Sequence, residues 1–170
     1  MTLADASAVR IASTSPDRTR NAAARLARLL VAGDVLLLGG DFGAGKTTFT
    51  QGLAHGLGID ELVTSPSFTL LRSYQSPRGL RLLHADIYRL DHLQEVVDLG
   101  LPELLDEGAV AVVEWGDLAA PVLLSEYLDV RIAFGDRDDE RSLTMQPVGP
   151  KWCARLRLLH QVFGAPQPTS

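Results

Sequence analysis

The spacing of hydrophobic residues changes twice early in the chain, and each change predicts a new element. Five apolar residues first recur at helical spacing: Ala22, Ala23, Leu26, Leu29 and Leu30. The triplet Ser15-Pro16-Asp17 supplies a hydroxyl cap, a proline and an acid for the start of this helix, and Gly33 ends it. Residues 34–38 (DVLLL) then form a continuous apolar run, which is typical of a strand buried on both faces.

A second helix follows a glycine-rich stretch, and its apolar residues are Phe49, Leu53, Ala54 and Leu57. Beyond Gly58 the pattern changes to alternation, which predicts a strand over residues 68–74. A turn at 75–79 and a returning strand at 80–88 would complete a hairpin. Asp91, with Gln94 three residues later, resembles a capping box that opens a short helix ending near Gly100.

The second half of the chain predicts three more strands. Residues 109–113 (AVAVV) form another continuous apolar run that leads into Glu114. Residues 127–134 and 141–147 flank a polar turn, so they predict a second hairpin. Alternating strands and helices are typical of an α/β fold, and the hairpins add antiparallel strands to a mixed, mainly parallel sheet.

The end of the chain predicts a short helix over residues 151–162 and a loose tail over 164–170. We find no repeat, linker or low-complexity block, so residues 1–163 are expected to form a single three-layer domain.

The glycine-rich stretch carries the clearest chemistry. Residues 40–47 (GDFGAGKT) match the phosphate-binding pattern G-x-x-x-x-G-K-[ST], between a predicted strand and a predicted helix. Its glycines let successive N–H groups point at phosphate oxygens, and the following helix adds its positive end. The predicted nucleotide-binding residues of the loop are Gly40, Asp41, Phe42, Gly43, Ala44, Gly45, Lys46, Thr47 and Thr48. Trp115, which follows Glu114, is either a residue at the edge of the core or a lid beside the site.

Lys46 stands out in a chain that has two lysines and fourteen arginines. A lysine presents a compact charge on a long stem, whereas the planar guanidinium of arginine fits poorly inside a tight backbone nest. Lys46 is therefore predicted to hold the β- and γ-phosphates, and the hydroxyl of Thr47 to bind Mg²⁺. No guanine-recognition pattern occurs, so ATP is the expected nucleotide, with candidate base contacts near residues 13–18.

Two acids compete for the remaining chemistry, because phosphoryl transfer needs a carboxylate near the metal and a group that places the attacking water. Asp86 follows a half-apolar strand, and Glu114 ends a buried one. Ligands of α/β sheets lie at the carboxyl ends of the strands, which favours Glu114. Each acid also has a purely structural interpretation, since Asp86 could pair with Arg89 and Glu114 could cap a turn. Both are kept as predicted catalytic residues with Lys46, and as metal ligands with Thr47.

Composition argues against three classes of protein: independent nucleic-acid binders, membrane-spanning proteins and secreted proteins with disulfides. A net charge of −5 argues against independent nucleic-acid binding, which normally uses a basic face. No apolar run is long enough to span a membrane, no secretory signal is visible, and the single cysteine precludes an internal disulfide, so the expected location is the cytoplasm. The four histidines show no metal-ligand spacing with cysteines or with each other, so structural or solvent-exposed roles are favoured.

Four segments together, in order and spacing, resemble the bacterial TsaE (YjeE) family: GDFGAGKTTF from Gly40, TSPSFTL from Thr64, HADIYRL from His84 and VEWG from Val113. The resemblance covers roughly residues 10–145. It implies a P-loop ATPase that acts with the TsaD and TsaB proteins in tRNA threonylcarbamoyladenosine synthesis, with tRNA held by the complex. It also implies that Asp86 supports the metal site, that Glu114 acts near the γ-phosphate, that Trp115 is a nucleotide-binding residue next to the nucleotide, and that residues 64–69 form a switch-like loop.

Two rival functions use the same loop. A small-molecule kinase would need an acceptor pocket and basic residues over it; the arginines available are Arg72, Arg78, Arg81 and Arg89. A nucleotide-dependent scaffold would bind ATP with negligible turnover. A phosphorylated small molecule would support the first alternative, and tight binding without hydrolysis the second.

Overall fold

The computed structural model describes residues 8–66, 69–88, 90, 92–115 and 125–164. Within these residues, seven strands form one sheet in the order β1-β7-β6-β2-β5-β4-β3. The strands are β1 (Val9–Ser13), β2 (Val35–Gly39), β3 (Leu71–Gln75), β4 (Arg81–Asp86), β5 (Val110–Glu114), β6 (Tyr127–Phe134) and β7 (Arg141–Val148). The predicted α/β fold with a mixed sheet is confirmed.

Parallel pairing holds the centre of the sheet, where β2 lies between β5 and β6, and β4 pairs with β5. The antiparallel pairs lie towards the edges, where β3 joins β4, and β7 joins β6 and β1. Both predicted hairpins are therefore present. The edge strand β1 was not predicted, because its five residues alternate too briefly to stand out from the chain around them.

Two hydrophobic clusters, one on each face of the sheet, produce the three layers. Leu36 and Leu38 of β2 point into one cluster, and Val35 and Leu37 point into the other, as alternation along a strand requires. The first cluster contains residues of α1 (Pro16–Leu26), α2 (Lys46–Gly56) and α6 (Leu156–Phe163). The second contains residues of α3 (Leu93–Asp98) and α4 (Leu101–Asp106).

Several element boundaries differ from the predictions. The short helix expected to end near Gly100 does end there, but α4 begins directly afterwards because Gly100 takes a left-handed conformation with Pro102 in the first turn. The terminal helix is divided into α5 (Pro150–Ala154) and α6. Asp91, the predicted cap, lies outside the described residues; the cap observed is His92, whose capping box is closed by Glu95. Residues 165–170 of the predicted tail also lie outside them.

Close packing of α1 on α2 fixes the helix that carries the glycine-rich loop. A Cβ atom on Gly52 would lie 2.7 Å from the Cα atom of Arg20 and 2.8 Å from the Cβ atom of Ala23. The absence of a side chain at Gly52 therefore lets the two helix backbones approach. No helix in the described part of the chain is long and apolar enough to cross a membrane.

Candidate functional site

The predicted phosphate loop joins the end of β2 to the start of α2 and borders a cavity of about 490 Å³. Gly45 occupies the N-cap of α2 with a φ of 111°, a conformation that a residue with a side chain rarely adopts. The first-turn N–H groups of α2 and its positive end lie beside this cavity, which is lined by Lys46, Thr47 and Thr48. Local sequence thus places a helix N-terminus, whose partial positive charge suits an anion, at the carboxyl end of a central parallel strand.

The ammonium group of Lys46 is held within the loop that precedes it. Its Nζ atom donates to the carbonyl oxygens of Gly40, at 2.8 Å, and of Asp41, at 3.0 Å. The same atom lies 4.1 Å from the centroid of the Trp115 ring. Burial lowers the pKa of Lys46, while the negative charges of Glu114, Asp86 and Asp41 act in the opposite direction. The lysine is therefore a desolvated cation whose charge a phosphate would stabilise further.

The two predicted acids lie side by side at the ends of neighbouring strands. In the parallel pairing of β4 with β5, Asp86 lies opposite Glu114, and both side chains line the cavity with Lys46 and Thr47. Asp86 is partly exposed and accepts a hydrogen bond at Oδ1 from the backbone N–H of Tyr88 at 3.1 Å. Glu114 is only 4% exposed. The sheet register thus brings together acids that are 28 positions apart in the sequence.

Glu114 has a partner that the sequence did not identify. The Nε2 atom of His84 lies 2.8 Å from Oε1 of Glu114, and the His84 side chain has no exposed surface. The sequence prediction gave His84 a structural or solvent-exposed role because its spacing from the other histidines and from the cysteine does not suit a metal. The contact depends on the register of β4 against β5, which hydrophobic patterns do not specify.

Aromatic side chains form one rim of the cavity. The Tyr88 ring lies 5.0 Å from the Trp115 ring and 6.5 Å from the Phe42 ring, measured between centroids. Trp115, at φ 62°, and Leu70, at φ 59°, are the residues other than glycine with positive φ in the described ranges, and both line this cavity. Strained backbone of this kind tends to occur at functional sites. Tyr88 and Leu70 were not among the predicted site residues.

Three of the predicted loop residues do not line the cavity wall. Gly40 and Asp41 instead supply the carbonyl oxygens that hold Lys46. Ala44 is fully buried, and its carbonyl accepts a hydrogen bond at 2.9 Å from Nε of Arg141. Phe42 and Gly43, by contrast, line the cavity. Gly40, Asp41 and Ala44 thus shape the loop.

The predicted switch segment is described only in part. Ser65 lines the cavity, whereas Ser67 and Phe68 lie outside the described residues. Arg89, the suggested ion-pair partner of Asp86, also lies outside them. Ser65 is therefore the residue of this segment that the described part of the chain places at the cavity.

The oxygen donors at the cavity suit a magnesium ion. Mg²⁺ in nucleotide sites commonly takes one or two carboxylates together with phosphate oxygens and water. Thr47, Asp86 and Glu114, each with an oxygen-bearing side chain, border one space next to the N-terminus of α2. No cluster of three or more His, Cys, Asp or Glu side chains suited to a metal ion occurs within the described ranges. The arrangement fits Mg²⁺ that is bound jointly with a nucleotide.

Comparison with known proteins gives one consistent family. The family model "Threonylcarbamoyl adenosine biosynthesis protein TsaE" matches residues 13–143. The tRNA threonylcarbamoyladenosine biosynthesis protein TsaE of Bacillus subtilis is 42% identical over 140 residues, covering 82% of this chain and 86% of the relative. Its Streptomyces coelicolor counterpart is 46% identical over 133 residues, covering 75% and 89%. The crystal structure of YdiB from Bacillus subtilis is similar with a TM-score of 0.77 at 37% identity, covering 91% of this chain and 95% of that one.

Proposed function

This chain belongs to the TsaE family, and from that premise we propose that it is a Mg²⁺-dependent ATPase of tRNA threonylcarbamoyladenosine synthesis. The relatives are named as biosynthesis proteins of this tRNA modification. In the proposed role, ATP binding and hydrolysis sustain the transfer of a threonylcarbamoyl group to an adenosine beside the anticodon. The transfer reaction itself belongs to a partner.

One observation carries the proposal: Lys46, Thr47, Asp86 and Glu114 border a single cavity at the N-terminus of α2. In the proposed complex Lys46 neutralises the phosphates, and Thr47 and Asp86 hold the metal ion directly or through water. Glu114 places the attacking water and accepts its proton, because a buried carboxylate near the γ-phosphate is suited to general-base catalysis. Trp115 lies beside the nucleotide.

The proposed partners are the TsaD and TsaB proteins, which would hold the tRNA. A net charge of −5 supports this division of labour, because a protein that grips tRNA alone needs many phosphate contacts from basic residues. Contact with tRNA is therefore indirect in this proposal, and the protein works in the cytoplasm.

The test is phosphate release from ATP by the full chain, alone and with TsaB, TsaD and tRNA, with the modified nucleoside measured in parallel. Glu114→Gln keeps the shape of the side chain and removes its charge. We expect hydrolysis to fall by about 10²–10⁴-fold, the range typical for loss of a general base, with little change in ATP affinity.

Glu103→Gln is the matched control, since this exposed acid lies on α4, across the sheet from α2. It should behave as the wild type. Unchanged hydrolysis in Glu114→Gln would contradict the role proposed for Glu114. Repeated tRNA modification without this chain would contradict the wider function.

A further inference from the structure

The imidazole of His84 lies where the fold would otherwise place an apolar side chain. Alternation along β4 puts Leu82, His84 and Asp86 on one face, and Leu82 belongs to the hydrophobic cluster beneath α2. Val110 and Val112 of β5 belong to the same cluster and precede Glu114 on that face. His84 is thus a polar residue inserted between a core leucine and a cavity-lining carboxylate.

The only polar contact that the described residues offer the imidazole is with Glu114. Nε2 lies 2.8 Å from Oε1 of Glu114, whereas Nδ1 is buried and has no hydrogen-bond partner within the described ranges. A buried polar atom without a partner destabilises a fold, so packing alone gives no reason for a histidine at this position. The polar contact that the imidazole does make joins it to Glu114, which lines the cavity.

We propose that His84 is a positioning residue that holds Oε1 of Glu114 through an Nε2–H donor and so aims Oε2 at the attacking water. Because His84 has no exposed surface, it touches neither nucleotide nor water and acts through Glu114. His84 lies on β4, which pairs with both β3 and β5, and its neighbours in the sheet register are Arg72 and Val112. A carboxylate on a flexible glutamate stem gains a fixed orientation from this contact.

This inference rests on the proposed function, since it assigns His84 to the ATP hydrolysis in which Glu114 is the base. Two amide substitutions distinguish the position of the hydrogen-bond donor from the mere presence of a polar group at residue 84. In His84→Gln the amide nitrogen reaches the place of Nε2, and in His84→Asn it reaches only the place of Nδ1. Both variants bury one amide at the same site, and because Asn is one methylene shorter than Gln, the free energy of unfolding of each is measured beside its kinetics.

We expect His84→Asn to lower kcat by about 10–100-fold, the size of effect that a displacement of about 1 Å produces in a catalytic group. The KM and Kd for ATP should stay within about threefold of the wild type, because His84 does not line the cavity. His84→Gln should restore kcat to within about fivefold. His84→Phe, which keeps an aromatic ring without a donor, should repeat the loss and replaces His84→Asn if that variant unfolds.

A double-variant cycle tests whether His84 acts through Glu114. In a Glu114→Gln background, His84→Asn should change kcat by less than about twofold, since the group it positions is already disabled. Equal activity of the Asn and Gln variants, a loss confined to KM or Kd, or an undiminished loss in the Glu114→Gln background would each overturn the inference.

The same measurements separate the two proposals. Full hydrolysis by Glu114→Gln alone would refute the role of Glu114 in the proposed function. An inactive Glu114→Gln beside a fully active His84→Asn would refute the role of His84 and leave that of Glu114 intact.

Discussion

Replacing Lys46 by arginine tests whether the charge or the shape of this cavity-lining side chain is needed for ATP binding. Wild-type Lys46 is 6% exposed, and its Nζ atom lies within 3.0 Å of two loop carbonyl oxygens and 4.1 Å from the Trp115 ring centroid. A guanidinium keeps the charge but presents a planar fork that does not fit between these carbonyls and the indole. We therefore expect Lys46→Arg to bind ATP nearly as poorly as Lys46→Ala does.

The expected size of the effect follows from the contacts. A hydrogen bond between a charged donor and an acceptor contributes about 1.5–3 kcal/mol, so losing one to a phosphate oxygen raises the Kd by about 10–150-fold. If charge alone mattered, a cation about 4 Å from a phosphate would keep an attraction of about 4 kcal/mol near a protein surface, and Lys46→Arg would bind normally. The two explanations thus predict different affinities.

Titration with a fluorescent ATP analogue in the presence of Mg²⁺ distinguishes them. Lys151→Arg is the matched control, because the Lys151 side chain is 78% exposed and lies in α5. This helix follows β7, which runs antiparallel to β6 and ends at the edge of the sheet away from the phosphate loop. This control should bind as the wild type does. Wild-type affinity in Lys46→Arg would refute the argument from shape and leave charge as the reason for the lysine.

Three further outcomes are expected. Gly52→Ala should lower the free energy of unfolding by about 1–2 kcal/mol and the Tm by about 2–8 °C, because the clash with Arg20 outweighs the better helix propensity of alanine; a higher Tm would contradict this. Arg155→Met should lower the free energy of unfolding, measured by chemical denaturation, by about 3–5 kcal/mol, because the 4%-exposed Asp34 side chain loses its charged partner and keeps the hydrogen bond from the backbone N–H of Val31; ATP affinity should stay unchanged. Burial lowers the pKa of Lys46, so ATP affinity should fall as the pH rises through that lowered value, and Lys46→Ala should show no such fall.

Local patterns were sufficient for most of the fold. The hairpin of β6 and β7 was predicted nearly residue by residue, because each strand has eight residues, enough for a clear alternation of apolar and polar side chains on either side of a polar turn. The edge strand β1 and the helix α4 were missed because five or six residues carry too little periodicity. Their existence depends on partners far away in the chain, as in the pairing of Val9 with Met145.

The candidate site also has a part that local sequence predicts and a part that depends on residues far apart in the chain. The sequence by itself determined the loop of residues 40–47, since turn, helix terminus, lysine and threonine are covalent neighbours whose geometry glycine and helix formation largely dictate. It could rank Asp86 and Glu114 as candidates but could not show them side by side. Only the tertiary structure decided that, and it added His84, because strand order and register set which side chains meet across a sheet. A one-residue shift in the register of β4 would turn His84 and Asp86 to the opposite face of the sheet, and the local sequence pattern does not predict the register.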